Sequence, residues 1–305
     1  MLAAFGELSI IASQVIDRRL FLIASGATLA LRPRPSGGWV GKLAGIEGSL
    51  GRGARLGVAA LNTANRRVLM HRATDRFALC STFKVALAAA WLAQVDRGSA
   101  SLNDQIEFTQ SDLTDYAPVV RANLHLGRLP IEQLCAAIVE LSDNAAANLL
   151  LRPLGGPGGF TRIVRGWGDR ITRLERYEEQ LGTNLPGDPR DTTTPAAMLN
   201  LMHRLLVKET LLPRSRSKLI GWMNTATTGL QRLRSGLPAN WSVGDKTGNG
   251  LNGAANDIAI ALPPNGLPIL ITSYMSGGTA ERSERDAAHR KVAQAAVTAF
   301  GYRLT

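Results

Sequence analysis

The chain has 305 residues, 45% of them hydrophobic and 5% aromatic, with a formal charge of +11. That length accommodates one large domain or two modest ones with proper cores, and no stretch reaches the roughly 20 apolar residues of a membrane-spanning helix. The positive excess is mostly arginine, scattered without interleaved aromatics, which argues against a nucleic-acid surface and for a solvated, arginine-biased exterior.

Near the N-terminus, Arg18-Arg19-Leu20-Phe21-Leu22 and a short apolar run ending at Leu31 resemble a twin-arginine export signal. A Pro- and Gly-rich segment follows and reads as a linker, so residues 1–37 are set apart as leader and linker. The implied location is periplasmic or secreted, with no stable membrane insertion after export. Residues 39–50 predict a helix. Between Arg55 and Ala73, two apolar runs flank Asn62-Thr63-Ala64-Asn65, a hairpin pattern. From Ser81 to Trp222 the pattern is mostly helical. Val85–Val95 stops before Gly98, Ile131–Leu141 and Asn144–Leu151 are apolar, and Pro195–Val207 opens with proline at its first position. Short apolar runs bounded by Gly and Pro then predict strands at Trp241–Lys246, Asp257–Leu262 and Pro268–Tyr274, and Arg282–Phe300 closes as an amphipathic helix.

This order predicts an α/β plus all-α fold. Early and late strands share one antiparallel sheet flanked by helices, over 38–75 and 225–305, and residues 76–224 form an inserted helical domain. A cleft between sheet edge and helices is a common place for a small-molecule site.

Three short motifs carry candidate chemistry. Ser81-Thr82-Phe83-Lys84 opens an apolar helix, so a hydroxyl and an amine lie one turn apart at a helix N-terminus suited to a developing oxyanion. Read alone, it is a helix cap followed by a solvated lysine. Ser142-Asp143-Asn144 lies between two apolar helical stretches, as an N-cap loop does. It also offers a second hydroxyl and an amide. Lys246-Thr247-Gly248 ends a predicted strand, where a cation and a hydroxyl suit a carboxylate and glycine admits a close backbone. The histidines His71, His125, His203 and His289 lack metal-ligand spacing, and Cys80 and Cys135 are too few for a disulfide framework.

Together, in this order, the motifs resemble those of the penicillin-recognising serine enzymes. A fourth segment separates the branches of that group. Residues 176–195, with Pro186-Gly187-Asp188-Pro189-Arg190-Asp191 at their centre, resemble the omega loop of class A serine β-lactamases. The resemblance spans about residues 40–300. It implies a monomeric hydrolase that acts on a small-molecule β-lactam and needs no metal or organic cofactor. It implies Ser81 as nucleophile, either Lys84 or Glu178 through water as its proton acceptor, and Ser142 as proton donor to the lactam nitrogen. Glu178 is also implied as the base for the deacylating water. By the same matching, Tyr116 walls the cleft, Asn144 contacts the substrate, and Lys246, Thr247, Gly248 and Arg232 hold its carboxylate side. Asn249 adds the second oxyanion N–H beside that of Ser81, and Arg176 and Asp191 pin the loop as an ion pair (176–191).

The chain departs from the family pattern at several places. Gly182 stands where an asparagine helps hold the hydrolytic water, Glu179 where a proline is common, and Ala255 where an arginine is frequent. Gly250 and Ala88 occupy the partner positions of family disulfides, so Cys80 and Cys135 read as buried free thiols. The alternatives are a penicillin-binding transpeptidase or carboxypeptidase, and a penicillin sensor that stays acylated. Both lack the omega-loop glutamate.

Overall fold

The computed structural model describes residues 37–304, and the export-signal reading lies outside them. Gly37, assigned above to the linker, instead opens α1 (Gly37–Gly48). Despite its glycines α1 is helical because Trp39, Leu43, Ile46 and the following Leu50 recur on one face and are buried. The chain continues through β1 (Arg55–Asn62), β2 (Val68–His71) and β3 (Phe77–Ala78) into α2 (Phe83–Asp96). Then come β4 (Gln105–Glu107), α3 (Pro118–Ala122), β5 (Arg128–Pro130), α4 (Ile131–Ala136), α5 (Asn144–Leu151) and α6 (Gly156–Gly166). A long loop leads to β6 (Thr192–Thr193), α7 (Pro195–Leu206) and α8 (Pro213–Thr225). The last elements are β7 (Ser242–Asn249), β8 (Ala255–Leu262), β9 (Ile269–Ser276) and α9 (Arg282–Ala299).

Five strands form one antiparallel sheet in the order β2-β1-β9-β8-β7. The predicted hairpin is β1–β2, and the three late strands pair with it through β9. Every residue of β9 is buried. Helices cover both faces of the sheet, so its central strands are buried without alternation. Trp39, Leu43, Val292 and Ala296 belong to the core on one face, while α2, α5 and α7 build the larger core that includes Ile258, Ile260 and Tyr274.

One element departs from expectation. The strand predicted over Trp241–Lys246 runs on to Asn249, because Thr247, Gly248 and Asn249 continue the β8 ladder opposite Asp257, Asn256 and Ala255. Lys246-Thr247-Gly248 therefore lies within an edge strand. The glycine-rich α6 carries little intrinsic helix propensity. Packing fixes it instead: Phe160 is fully buried, edge-on to Phe83 with ring centroids 5.7 Å apart.

Candidate active site

Helix α2 is apolar nearly all round and buried from Phe83 to Ala93, so it threads the centre of the helical block. Its one buried charge is Lys84, whose side chain is 0% exposed. A buried ammonium is tolerated only with partners, and four surround it. Nζ lies 2.9 Å from Glu178 Oε1 and donates to Asn144 Oδ1 at 2.6 Å. It also donates to the Ser142 carbonyl at 2.9 Å and to Ser142 Oγ at 3.4 Å. The Ser81 hydroxyl donates to the same Glu178 oxygen at 3.3 Å. Ser81, Lys84, Ser142, Asn144 and Glu178 thus share one polar cluster in an apolar block.

Ser81 sits in the tight turn just before α2. Cys80, immediately ahead of it, has φ 44°, a left-handed value that costs a non-glycine residue free energy. The turn is held from several sides. The buried Asn256 donates its amide to the carbonyls of Ala78 (2.8 Å) and Leu79 (3.3 Å), and the Leu79 N–H donates to the Asp191 carbonyl. Gly248 of β7 presses against it, where a Cβ would fall 2.9 Å from Cys80 Cβ and 3.1 Å from Ser81 N. Only glycine permits that approach.

The middle residue of Ser142-Asp143-Asn144 acts as a bracket. Asp143 is fully buried, caps α5 by accepting from Ala146 N at 2.8 Å, and accepts from Val119 N and Val120 N at the start of α3. Ser142 has φ 63° and so turns its hydroxyl to Lys246, whose Nζ donates to it at 3.0 Å. Lys246 is fully buried, and burial together with the Lys84 charge pushes its ammonium down to about 7. The Thr247 hydroxyl donates to that of Thr228 at 2.8 Å.

Glu178 is carried by the long loop after α6. The Arg176 guanidinium meets Asp191 at 2.5 Å, and Asp191 Oδ1 accepts from the backbone N–H groups of Glu175 and Arg176. The Glu178 peptide is clamped by Asn148, which accepts from its N–H at 3.0 Å and donates to its carbonyl at 2.8 Å. Asn148 was missed at the sequence level. Its signal was the i, i+4 spacing from Asn144, which puts both amides on one face of α5.

Tyr116 is half exposed, and its carbonyl accepts from Asn144 N. Its own N–H donates to the Glu179 carboxylate at 3.3 Å. Gly182 has φ +86°, and a Cβ there would touch Cys80 Sγ and Gly250 Cα at 3.7 Å. Cys80 and Cys135 are free and buried, and burial pushes the Cys80 thiol up to about 12. Arg232 differs from expectation. Its guanidinium does not stand free toward the cleft, because a buried guanidinium must place its donors. It donates to Asp286 (2.6 Å), the Asn256 carbonyl (2.8 Å) and Asn249 Oδ1 (2.6 Å), bracing Asn249 from behind.

The sequence profile of the Beta-lactamase enzyme family matches residues 44–300. The chain is 43% identical over 224 residues to the β-lactamase CTX-M-97 of Escherichia coli, covering 73% of this chain and 77% of that protein. It is 42% identical over 250 residues to a β-lactamase of Streptomyces lavendulae, covering 81% of each. Among solved structures, an ancestral (GNCA) class A β-lactamase superposes with a TM-score of 0.84 at 46% identity, over 86% of this chain and 100% of that one. Profile, relatives and fold agree with the polar cluster around Ser81: the chain belongs to the class A serine β-lactamase family.

Proposed function

We propose that the protein hydrolyses the β-lactam amide of penicillins and cephalosporins through an acyl-enzyme on Ser81, released by water that Glu178 activates, and so confers resistance to these antibiotics. The observation that carries this reading is the shared contact of Ser81 Oγ and Lys84 Nζ with one Glu178 oxygen. A nucleophile that already donates to a carboxylate has a proton acceptor in place.

In acylation the Ser81 proton leaves toward Glu178 while Oγ attacks the lactam carbonyl. The developing oxyanion is held by the N–H groups of Ser81 and Asn249. The ring C–N bond then breaks and its nitrogen takes the Ser142 proton. Lys84 touches both Glu178 and Ser142 and relays a proton from the one to the other, which restores the Glu178 carboxylate. In deacylation Glu178 takes a proton from water, hydroxide adds to the acyl carbon, and Ser81 leaves with the proton returned by Glu178. The substrate carboxylate lies against Lys246 and Thr247. Arg232 acts on that end indirectly, through Asn249. The segment 176–191 serves as the family's omega loop, and Tyr116 and Asn144 flank the acylamino group.

The enzyme works as a monomer, exported by the twin-arginine segment. No described helix is long and apolar enough to cross a membrane. Hydrolysis of a chromogenic cephalosporin by the purified protein tests the reading. Sustained turnover is expected, whereas a stoichiometric burst without turnover would place the chain with the transpeptidases or sensors instead.

A further inference from the structure

Each end of the cleft has its own chemistry. Lys246 and Thr247 face one end and suit the ring carboxylate. At the other end Asn144 Oδ1 accepts from Lys84 Nζ, and among the described residues the Asn144 Nδ2 donates to nothing. That amide N–H is left for the carbonyl of the acylamino side chain, a placement that rests on the function proposed above. Next to it stand Tyr116, through its carbonyl on Asn144 N, and Glu179, through its carboxylate on Tyr116 N. Both side chains are exposed. Glu179 joins no ion pair among the described residues, and its carboxylate accepts from Tyr116 N. Arg121, close by, turns to the carbonyls of Thr114 and Asp115. Asp115 is exposed too, and adds charge of the same sign.

We propose that Glu179, held against Tyr116 by the Tyr116 N–H, makes the acylamino end of the cleft selective for β-lactams whose side chain carries a cation close to the amide, and adverse to those carrying an anion there. A side-chain ammonium meets a carboxylate with no ion-pair partner among the described residues, beside the exposed Tyr116, and is attracted to it. A side-chain carboxylate meets repulsion from Glu179 and Asp115. Glycine at 182 brings no side chain of its own into this part of the loop.

The test uses benzylpenicillin and its α-amino and α-carboxy derivatives, which differ at one carbon. Acylation rates of Ser81 and kcat/KM are both measured at about pH 6, where the α-amine is protonated. Glu179→Gln keeps an acceptor for the Tyr116 N–H and removes only the charge. The amino-to-carboxy ratio of kcat/KM is expected to fall about 3- to 10-fold in Glu179→Gln and further in Glu179→Lys. The difference should shrink as salt rises from about 0.02 to about 0.5 M. A ratio within about 1.5-fold of the parent in both variants overturns the proposal. If the penicillins acylate Ser81 without release, the hydrolytic reading fails, and the ratio of acylation rates still decides the charge selection. If none of the three acylates Ser81, both readings fall.

Discussion

Asp191→Asn asks how much of the catalytic loop's order depends on one buried charge. Asp191 is 1% exposed and accepts three hydrogen bonds, from the Glu175 and Arg176 N–H groups and from the Arg176 side chain. Its backbone has φ 52°, a left-handed conformation that asparagine tolerates, so the substitution adds no backbone strain. Asparagine also keeps Oδ1 as the acceptor for the two backbone donors. What is lost is the charge facing Arg176. Breaking a buried pair costs about 3–5 kcal/mol. Arg176 is 17% exposed and keeps Asp188 at 3.8 Å, so a smaller loss applies, about 2–3 kcal/mol. At this chain length that lowers Tm by about 5–10 °C, at about 2–4 °C per kcal/mol. Because the Asp191 carbonyl also holds Leu79 N, just ahead of Ser81, and the loop carries Glu178, both acylation and deacylation should slow. Scanning calorimetry and stopped-flow kinetics with benzylpenicillin measure the two effects. An unchanged Tm together with unchanged deacylation would refute the idea that this pair holds the loop.

Glu178→Gln should acylate more slowly, because Ser81 loses its proton acceptor, and should slow product release further still, by at least about a hundredfold, the range of general base catalysis. Mass spectrometry should find a lasting adduct on Ser81, and normal turnover would remove Glu178 as the deacylation base. For Lys246, the ammonium that faces a substrate carboxylate is lost as pH rises through about 7, so kcat/KM should fall on that limb through KM. Lys246→Arg should shift the limb far upward, since guanidinium stays charged, and an identical profile in the variant would exclude Lys246 as its origin. The sign for stability is the reverse of the usual lysine case. The folded value lies below the unfolded one, so the burial penalty is fully present below about 7 and fades between there and the ordinary lysine value of 10.5. Gly182→Asn should speed deacylation of small penicillins by roughly 2- to 12-fold if the amide reaches the hydrolytic water. The positive φ there costs about 1 kcal/mol of stability. A lower Tm without faster deacylation would mean the water is already held by another group.

The cluster around Ser81 was legible because each motif couples a reactive side chain to a local structure that patterning identifies: a helix start, an interhelical loop, a strand. The sheet was legible as well, since β1, β8 and β9 are apolar runs with turn residues at their ends. The extension of β7 to Asn249 was hidden because Thr247-Gly248-Asn249 has poor strand propensity and is held by its β8 partners. Packing likewise imposes α6 on a glycine-rich stretch. The setting of Arg232 was out of reach because its partners Asn249, Asn256 and Asp286 lie 17 to 54 residues away, and no local pattern links them.

The polar cluster has a consequence for the order in which the protein matures. Its contacts join residues far apart in sequence: Ser81 to Glu178 across 97 positions, Lys84 to Asn144 across 60, Ser142 to Lys246 across 104. Closing such long loops is entropically late in folding. The buried ammonium groups of Lys84 and Lys246 add nothing favourable until their partners arrive. A refolding chain is therefore expected to gain compactness before it gains competence toward substrate. On that expectation, recovery of catalytic activity lags recovery of compactness when the two are followed in one refolding experiment.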